Sequence, residues 1–468
     1  MQVATTKELI VAPATPLGGA MVVIRLSGEG ILPLLAAIFK PRKKNLGDIA
    51  PRRLYLGDIH DGNDTIDEVV LTYFQAPFSY TGEDMLEITC HASPYIVENI
   101  VRICLEKGAR MAQPGEFTLR TFLNGKKDMA EAEAVADLLR AETKEQHRLA
   151  MTQMKGAFSQ ELNSLREQLL HFTALLELEL DFSEEEVEFA NRTQLLTLCD
   201  AISKAIDALV ASYEVGRKIK NGIATAIAGI PNAGKSSLLN LLTGSERAIV
   251  SNIAGTTRDT ISETAYIGGA LFRFIDTAGI REAVDPIEQE GVKRARHSAQ
   301  EADIQILLID ATKGEEAALK EQLDLLQTLP QSEQQQRIVV LNKIDLLTEE
   351  EKERLKEQLQ KQCKEQSLLF STKTKEGLEA LLHLLSDFIG IGTLPPQAII
   401  TNARHHTLLL QVQHHLRSVR EGLSVELPID LVTIDLRSAI ACLGEITGEA
   451  ISSSEVLHHI FAHFCIGK

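Results

Sequence analysis

The longest regular hydrophobic pattern of the chain lies between residues 158 and 176. Intervals of four and three residues separate Phe158, Leu162, Leu165, Leu169, Phe172 and Leu176. This spacing places all six on one side of an α-helix. Residues 121–215 are almost free of Pro and Gly, and we predict that this segment and residues 403–464 are helical.

Short hydrophobic runs of a different kind lie between the two helical segments. They are Ile223–Ile230, Leu271–Ile275, Ile304–Ile309, Ile338–Leu341 and Leu368–Phe370. Each run precedes a stretch with a helical pattern, and this alternation predicts βαβ units with a parallel sheet. The simplest topology is an α/β domain inserted into a helical domain, with linkers near Lys218–Gly222 and Gly390–Gln397.

The first 120 residues have a mixed α+β pattern. A β-rich run, Gly19–Gly28, precedes a helical pattern in Gly30–Phe39. Two further runs, Arg53–Ile59 and Ile66–Phe74, flank Asp61-Gly62, a strong hairpin signal. Met85–His91 is a predicted strand, and a helix is expected to begin at Ser93-Pro94. The predicted domains are 1–120 (α+β), 121–217 (helical, first part), 218–390 (α/β) and 391–468 (helical, second part).

Composition excludes several classes of protein. The 468 residues include 48 basic and 65 acidic side chains, a net charge of −17, and 44% hydrophobic residues, which is ordinary for a globular chain. The six cysteines show no C-x-x-C spacing, which excludes a zinc ribbon and argues against a disulfide framework. No apolar run approaches the roughly 18 residues of a membrane span, and no secretory signal is visible. We therefore expect a cytoplasmic protein without a membrane span.

The negative charge is unevenly distributed. Residues 1–127 contain 14 basic and 14 acidic side chains, so the whole excess lies beyond them. Within this neutral block, Lys40–Arg53 contains six basic residues and one acidic residue, Asp48. Such a patch could bind RNA, but charge alone favours a solvated loop.

A phosphate-binding motif follows the first strand of the α/β segment. Residues 229–236 are Gly-Ile-Pro-Asn-Ala-Gly-Lys-Ser, which fits the G-x-x-x-x-G-K-[ST] pattern. Backbone N–H groups and a helix N-terminus would surround phosphate oxygens. Lys235 is expected to pair with the β- and γ-phosphates, and the Ser236 hydroxyl to bind Mg²⁺.

Further motifs indicate that the nucleotide is guanine. Thr257 could supply a second Mg²⁺ ligand, and Asp276–Gly279 ends a strand, as does Asn342–Asp345. The Asp345 carboxylate can accept the N1–H and 2-amino protons of guanine, which gives at least about a hundredfold preference over adenine. The alternative is a generic ATP-binding P-loop. It would require the match of Asn342–Asp345 to a guanine-recognition motif to be a coincidence.

The residue after Asp276-Thr277-Ala278-Gly279 is Ile280, whose aliphatic side chain cannot orient the attacking water. Other candidates for this task are Glu282, Asp285, Glu288 and Glu290. Arg258 and Arg281 are candidate arginine fingers. The favoured interpretation of each is a solvated or structural loop residue.

Several other motifs, together with those above, resemble the bacterial MnmE (TrmE) family of tRNA-modifying GTPases over the full length. They are Ser79–Asp84 with Glu87, Gln113–Phe117, Phe122–Asn124, Glu131–Ala134 and the C-terminal Phe464–Lys468. The resemblance implies an α+β folate-binding-like N-terminal domain, a discontinuous α-helical domain and an inserted α/β P-loop GTPase (G) domain.

The resemblance also implies how GTP is hydrolysed. In the family, K⁺ takes the role of an arginine finger, and two G domains dimerise across their nucleotides. The implied K⁺ ligands are Asn232, Ser251, Ile253 and Thr256, and the implied catalytic residues are Glu288, which positions water, and Lys235. The full set of implied GTP-binding residues is Asn232, Ala233, Gly234, Lys235, Ser236, Ser237, Ser251, Asn252, Ile253, Ala254, Gly255, Thr256, Thr257, Asp276, Thr277, Ala278, Gly279, Asn342, Lys343, Asp345, Ser371, Thr372 and Lys373.

A second implied function is the modification of C5 of the wobble uridine in certain tRNAs. A homodimer would act with an FAD-dependent partner of the MnmG type and a 5-formyl-tetrahydrofolate-type donor. The implied folate contacts are Arg25, Glu87, Lys126 and Lys468.

Two alternatives remain at this stage. One is a regulatory switch without one-carbon chemistry, and the other is a helical scaffold that binds GTP only structurally. Cys465 could be a nucleophile, but a partly buried structural thiol is the favoured interpretation.

Overall fold

A computed structural model describes most of the chain. The described residues are 7–42, 49–181, 192–230, 232–244, 262–276, 300, 302–312, 335–362, 366–388, 398–449, 461 and 467. The chain forms two compact units. Unit 1 contains Met1–Arg140, Ala150–Ala208 and Arg404–Lys468, and unit 2 contains Ala141–Leu149 and Leu209–Ala403. The four domain boundaries predicted from the sequence stay predictions.

Unit 1 begins with a seven-stranded sheet of order β3-β4-β5-β6-β2-β1-β7. Its strands are β1 (Ile10–Pro13), β2 (Met21–Ser27), β3 (Phe39–Pro41), β4 (Leu54–Asp61), β5 (Asp64–Phe74), β6 (Met85–His91) and β7 (Arg110–Met111), and its helices are α1 (Ile31–Ile38), α2 (Pro94–Glu106) and α3 (Glu116–Leu123). One core contains the inward side chains of β2, β5 and β6 and the apolar sides of α1 and α2. The predicted hairpin, the strand Met85–His91 and the helix beginning after Ser93 are confirmed.

Long helices form most of the remaining part of unit 1 that the structure describes. They are α4 (Met129–Arg140), α5 (Lys144–Met154), α6 (Ala157–Asp181), α7 (Arg192–Asn221), α11 (Ala403–Ser424) and α12 (Ile429–Thr447); α5, α7 and α11 each contain residues of both units. All six members of the predicted stripe in α6 are buried, with exposures of 4% or less. Burial of this stripe on α6 confirms the helical prediction for residues 158–176. Within the described residues, no helix has the length and apolarity needed to cross a bilayer.

Unit 2 contains a six-stranded sheet of order β13-β12-β11-β8-β10-β9. The strands are β8 (Ile223–Gly229), β9 (Ser262–Ile267), β10 (Ala270–Asp276), β11 (Ile304–Asp310), β12 (Gln336–Asn342) and β13 (Gln366–Leu369), and the helices are α8 (Lys235–Thr243), α9 (Glu349–Gln362) and α10 (Leu378–Asp387). The five predicted strands are present and pair in parallel.

The predicted parallel sheet has an additional antiparallel strand at one edge. β9 was not predicted, and it pairs with β10 in the antiparallel direction. The two strands are joined by Gly268 and Gly269, whose φ angles are 58° and 86°. Adjacent positive φ angles suit a tight hairpin turn, so the Gly-Gly pair was the overlooked signal.

At the linker predicted near Lys218–Gly222, α7 continues to Asn221 and β8 begins at Ile223, and the linker stays a prediction like the domain boundaries. This end of α7 is attached to the sheet of unit 2. Arg217 Nη2 donates to Asp303 Oδ1 at 2.6 Å, and the Lys218 ammonium lies 4.1 Å from the centroid of the Phe388 ring. The other predicted linker, Gly390–Gln397, lies almost wholly outside the described residues.

Candidate functional site

The predicted phosphate loop lies at the carboxyl end of β8, before α8. Parallel strands place the carboxyl ends of β8, β11 and β12 at one edge of the sheet, where ligands bind in open α/β folds. Gly234, the residue before α8, has a φ of 103°. A Cβ at Gly234 would lie 2.3 Å from Asn342 Nδ2, so only glycine fits at this position.

Asn342 joins three of the predicted nucleotide motifs. Its buried amide donates from Nδ2 to the Ala233 carbonyl oxygen at 2.7 Å, and its Oδ1 accepts the Thr372 N–H at 3.0 Å. One side chain therefore connects the phosphate loop, the end of β12 and the segment Ser371–Lys373. The structure brings these motifs together as a single site.

Ser371 holds the residue predicted to recognise guanine. The buried Ser371 hydroxyl donates to Asp345 Oδ1 at 2.7 Å, and it accepts the N–H groups of Lys373 and Thr374 at 3.2 and 3.1 Å. The Asp345 carboxylate is thus oriented before any base is bound, which lowers the entropic cost of binding.

Lys343 is anchored beside the same edge. Its Nζ donates to Asp310 Oδ2 at 2.6 Å, and Thr312 donates its N–H and its hydroxyl to Asp310 Oδ1. Burial alone would raise the pKa of Asp310, but the donors Lys343 and Thr312 outweigh it and hold the pKa below its usual value. The sequence analysis did not identify Asp310 as a site residue. Its position as an acidic residue at the carboxyl end of the hydrophobic strand β11 could have indicated it.

The loop has hydrogen-bond donors for the phosphates of a nucleotide and a hydroxyl oxygen that can bind Mg²⁺. Lys235 Nζ donates to the carbonyl oxygens of Gly229 and Ile230, at 2.8 and 3.1 Å, so the ammonium lies against the loop itself. Ser236 and Ser237 are exposed in the first turn of α8, where the helix dipole favours anions. These residues fit a triphosphate with a bound Mg²⁺.

Several predicted site residues lie outside the described residues. They are Ser251, Asn252, Ile253, Ala254, Gly255, Thr256, Thr257, Thr277, Ala278, Gly279, Glu288, Cys465 and Lys468. Asp276 is the last residue of β10, but its side chain is likewise outside the described part. The roles assigned to these residues stay predictions.

A second candidate site lies on the sheet of unit 1. Arg25 and Glu87 face each other at paired positions of β2 and β6. Arg25 donates from Nε and Nη2 to Glu87 Oε1, at 3.0 and 2.9 Å. Its Cζ also lies 5.4 Å from the centroid of the Tyr80 ring and 5.7 Å from that of Phe117. Two of the family-like motifs, Ser79–Asp84 with Glu87 and Gln113–Phe117, therefore meet around one guanidinium.

The C-terminal tail reaches this site. Arg25 Nη1 donates to the carbonyl oxygen of Gly467 at 3.1 Å. Gly467 has a φ of 91°, and a Cβ there would lie 2.2 Å from the Pro13 carbonyl oxygen. This close approach explains why glycine stands in the tail. It also places the residue before Lys468 next to Arg25, as the predicted folate contacts require.

Lys126 is tied to the loop that carries Tyr80. Its Nζ donates to the Pro77 carbonyl oxygen at 3.1 Å, and its Cγ would lie 3.2 Å from a Cβ at Gly82. A carboxylate, guanidinium and ammonium are thus present in one region of unit 1. This set of charges fits a pterin edge and a glutamate tail.

Beneath this region lies a buried network that sequence reasoning missed. Arg120 is 4% exposed and donates to Glu83 Oε2 at 2.8 Å and to Glu116 Oε1 at 3.0 Å. Burial alone would raise the pKa of Glu116, but Arg110, the Gln113 N–H and Arg120 hold it below its usual value. Glu83 of the motif Ser79–Asp84 and Glu116 of the motif Gln113–Phe117 therefore have a structural role as partners of Arg120.

The helical part of unit 1 contains a comparable network around Glu133. Arg404 donates from Nε and Nη2 to the two carboxylate oxygens at 3.0 Å, and His405 Nε2 lies 2.7 Å from Glu133 Oε2. Burial alone would raise the pKa of Glu133, but the opposing charges of His405 and Arg404 hold it at about 2.

The Glu133 network predicts a specific pH dependence of stability. Because the folded-state pKa of about 2 lies below the ordinary 4.5, the carboxylate stabilises the fold above pH 4.5, and this contribution is lost as pH falls towards 2. We expect Glu133→Gln to lower the free energy of unfolding at neutral pH by on the order of 3 kcal/mol. In urea unfolding, the difference from the unmodified chain should shrink below pH 4.5. Glu98→Gln, on the exposed side of α2, is the control, and a difference that stays constant with pH would contradict the assignment.

The fold and site of unit 2 define a class of protein. A phosphate loop joined through Asn342 to a guanine-recognition motif, at the carboxyl edge of a mainly parallel sheet, is the arrangement of a P-loop GTPase. Two family models match the chain: the MnmE helical domain over residues 129–465 and the GTP-binding protein TrmE N-terminus over residues 9–126. The chain belongs to the MnmE family of tRNA modification GTPases.

Curated relatives support this membership over the whole length. The tRNA modification GTPase MnmE of Porphyromonas gingivalis is 46% identical over 469 residues, covering 99% of this chain and 98% of the relative. The protein of the same name from Christiangramia forsetii is 45% identical, covering 98% and 99%. Among solved structures, a variant of Era from Aquifex aeolicus bound to GDP·AlF₄⁻ is 29% identical, with a TM-score of 0.29, and the match covers 41% of this chain and 66% of that one.

Proposed function

We propose that this chain is a cytoplasmic, K⁺-dependent GTP hydrolase whose G domains dimerise, and that it takes part in tRNA modification. The reaction would be the aminomethyl or carboxymethylaminomethyl modification of C5 of the wobble uridine in certain tRNAs. A homodimer of the chain would act with an FAD-dependent partner of the MnmG type. The observation that carries the GTPase part is the Asn342 amide, which joins the phosphate loop to the base-recognition segment.

The described residues have clear tasks in nucleotide binding. Lys235 would exchange its two carbonyl acceptors for phosphate oxygens, and the loop N–H groups would surround the phosphates. Ser236 and Thr257 would hold Mg²⁺, which neutralises developing negative charge when bound. Asp345, fixed by Ser371, would select guanine because a carboxylate pairs with two donors on that base.

The proposed K⁺ site begins at Asn232, an exposed residue of the phosphate loop with a φ of 65°. Asn232, Ser251, Ile253 and Thr256 would supply oxygen ligands. K⁺ would contribute the positive charge that an arginine supplies in other GTPases. Glu288 would position the attacking water, since Ile280 has no polar group for that purpose.

Hydrolysis rates in different monovalent salts test this proposal. We expect turnover of GTP to be faster in KCl than in NaCl at equal ionic strength, and equal rates would contradict the K⁺ role. Glu288→Ala should lower kcat by at least about tenfold with little change in GTP affinity, because its interaction is assigned to the transition state. A large loss of GTP binding in this variant would refute that assignment.

The Arg25–Glu87 pair supports a 5-formyl-tetrahydrofolate-type ligand in unit 1. We expect Glu87→Gln to weaken binding of 5-formyl-tetrahydrofolate by about tenfold, because an amide cannot accept hydrogen bonds from the pterin edge as a carboxylate does. Isothermal titration would measure the affinity, with Glu98→Gln as the matched control on the surface of α2. Unchanged affinity in the Glu87 variant would show that the ligand binds elsewhere.

A further inference from the structure

The loop after β5 exposes an aromatic ring with a cation stacked on it. Phe78 is 63% exposed, and its N–H donates to the Gln75 carbonyl oxygen in a tight turn. The guanidinium carbon of Arg52 lies 4.9 Å from the centroid of the Phe78 ring. Arg52 is itself held in place, because its backbone has a φ of 60° and its N–H donates to the Tyr73 carbonyl oxygen at 2.7 Å.

A second cation lies on the same loop. Lys126 donates to the carbonyl oxygen of Pro77, the residue before Phe78. We call Arg52, Phe78 and Lys126 the Phe78 platform. In the part of the chain that the structure describes, neither Arg52 nor Lys126 has a carboxylate partner.

Three acidic groups of this loop and of β6 are engaged by other donors. Asp84 Oδ1 accepts the Ala76 N–H at 2.9 Å, Glu83 pairs with Arg120, and Glu87 pairs with Arg25. The platform therefore presents positive charge and an aromatic face on a chain whose net charge is −17. Arg42, in contrast, pairs with Asp58 at 3.5 Å and with Glu68, so the wider basic segment is partly neutralised.

The platform adjoins the Arg25–Glu87 site. Phe78 is two residues from Tyr80, whose ring lies beside Arg25, and Lys126 contacts the same loop at Gly82. A group bound on Phe78 would thus lie close to the predicted folate ligand. Such proximity is what a one-carbon transfer to a bound base would need.

We propose that the Phe78 platform binds an unpaired RNA base by stacking, with a flanking phosphate on Arg52, while Lys126 stays a predicted contact of the adjoining folate ligand. Single-stranded RNA is recognised in this way, by aromatic faces together with cationic side chains. A second copy of the chain is a poorer occupant, because a two-fold interface would place the same cations opposite each other. The inference rests on the proposed function and names the part of the tRNA, an unpaired loop base, that this surface recognises.

Binding of a fluorescein-labelled RNA stem-loop with an unpaired uridine, measured by anisotropy with the full chain, tests the platform. We expect Phe78→Ala to weaken binding roughly 5- to 150-fold, the range for loss of one base–aromatic stack, while Phe78→Trp retains it. Arg52→Gln should reduce the dependence of log affinity on log salt by about one unit. Tyr95→Ala is the matched control, since Tyr95 is 69% exposed on α2 and lies outside the platform.

The possible outcomes separate the platform from the proposed function. Equal affinity for the stem-loop in Phe78→Ala and the unmodified chain would overturn the platform. A change in sedimentation of Phe78→Ala without a change in RNA affinity would overturn it in favour of contact between copies. If the unmodified chain bound no stem-loop, the platform and the tRNA part of the proposed function would both fail. Absence of K⁺ stimulation would count against the hydrolysis proposal alone.

Discussion

Replacing Asp345 by Asn is expected to lower the affinity for GTP by roughly a hundredfold or more and to increase that for XTP. The carboxylate accepts two protons from guanine, and each hydrogen bond to a charged group contributes about 1.5–3 kcal/mol. An amide presents a donor instead, which suits the C2 carbonyl of xanthine. Isothermal titration with GDP and XDP would measure both changes.

The control for this variant is Glu350→Gln, an exposed acidic position of α9. It should leave both affinities unchanged, because it lies outside the nucleotide motifs. The Ser371 hydroxyl already orients Asp345, so the preference should depend on the Asp345 side chain. If Asp345→Asn bound GDP and XDP as the unmodified chain does, guanine recognition would have to be assigned to another group.

Replacing Arg120 by Met is expected to destabilise unit 1 by about 2–3 kcal/mol, because buried hydrogen bonds to charged groups contribute about 1.5–3 kcal/mol. The side chains of Arg120 and Glu116 are 5% and 8% exposed, so water cannot replace the lost guanidinium at Glu116, which keeps Arg110 and the Gln113 N–H as its donors. Urea unfolding followed by circular dichroism would measure the loss. The triple variant Arg120→Met with Glu83→Gln and Glu116→Gln should recover part of it, because the two carboxylates that lose the Arg120 guanidinium are then uncharged amides.

Arg102→Met is the control for the buried network, since Arg102 pairs with Asp61 and Glu106 at the surface, with 45% of its side chain exposed. Ion pairs in water contribute little, and we expect no measurable change in the urea midpoint. Equal destabilisation by the Arg102 and Arg120 variants would contradict the role assigned to burial.

The nucleotide site could be predicted closely because its signals are local. Gly234, Lys235 and Ser236 follow a hydrophobic run within a few residues, and their spacing alone specifies a strand, a loop and a helix. The helical stripe of α6 was predictable for the same reason. The antiparallel strand β9 was missed although Gly268-Gly269 signalled its turn, because the alternation of strands and helices indicated only strands that pair in parallel.

The folate contacts came from resemblance, because isolated charges carry no pattern. Arg25 and Glu87 meet only because β2 and β6 pair in one particular register. A shift of one residue in either strand would move the side chain of that strand to the other side of the sheet. The buried partners Arg120 and Asp310 were missed since burial, which makes their charges important, is not visible in the order of the residues.

The sequence by itself determined the class of nucleotide, through motifs whose spacing dictates backbone geometry, and the order of helices and strands, through hydrophobic periodicity. Only the tertiary structure decided which distant groups meet. Asn342 bonds to Ala233, 109 residues away, Arg404 pairs with Glu133 across 271 residues, and Arg25 reaches Gly467 across 442. Periodicity describes neighbours along the chain, whereas such contacts depend on the packing of whole elements and on the burial that this packing creates.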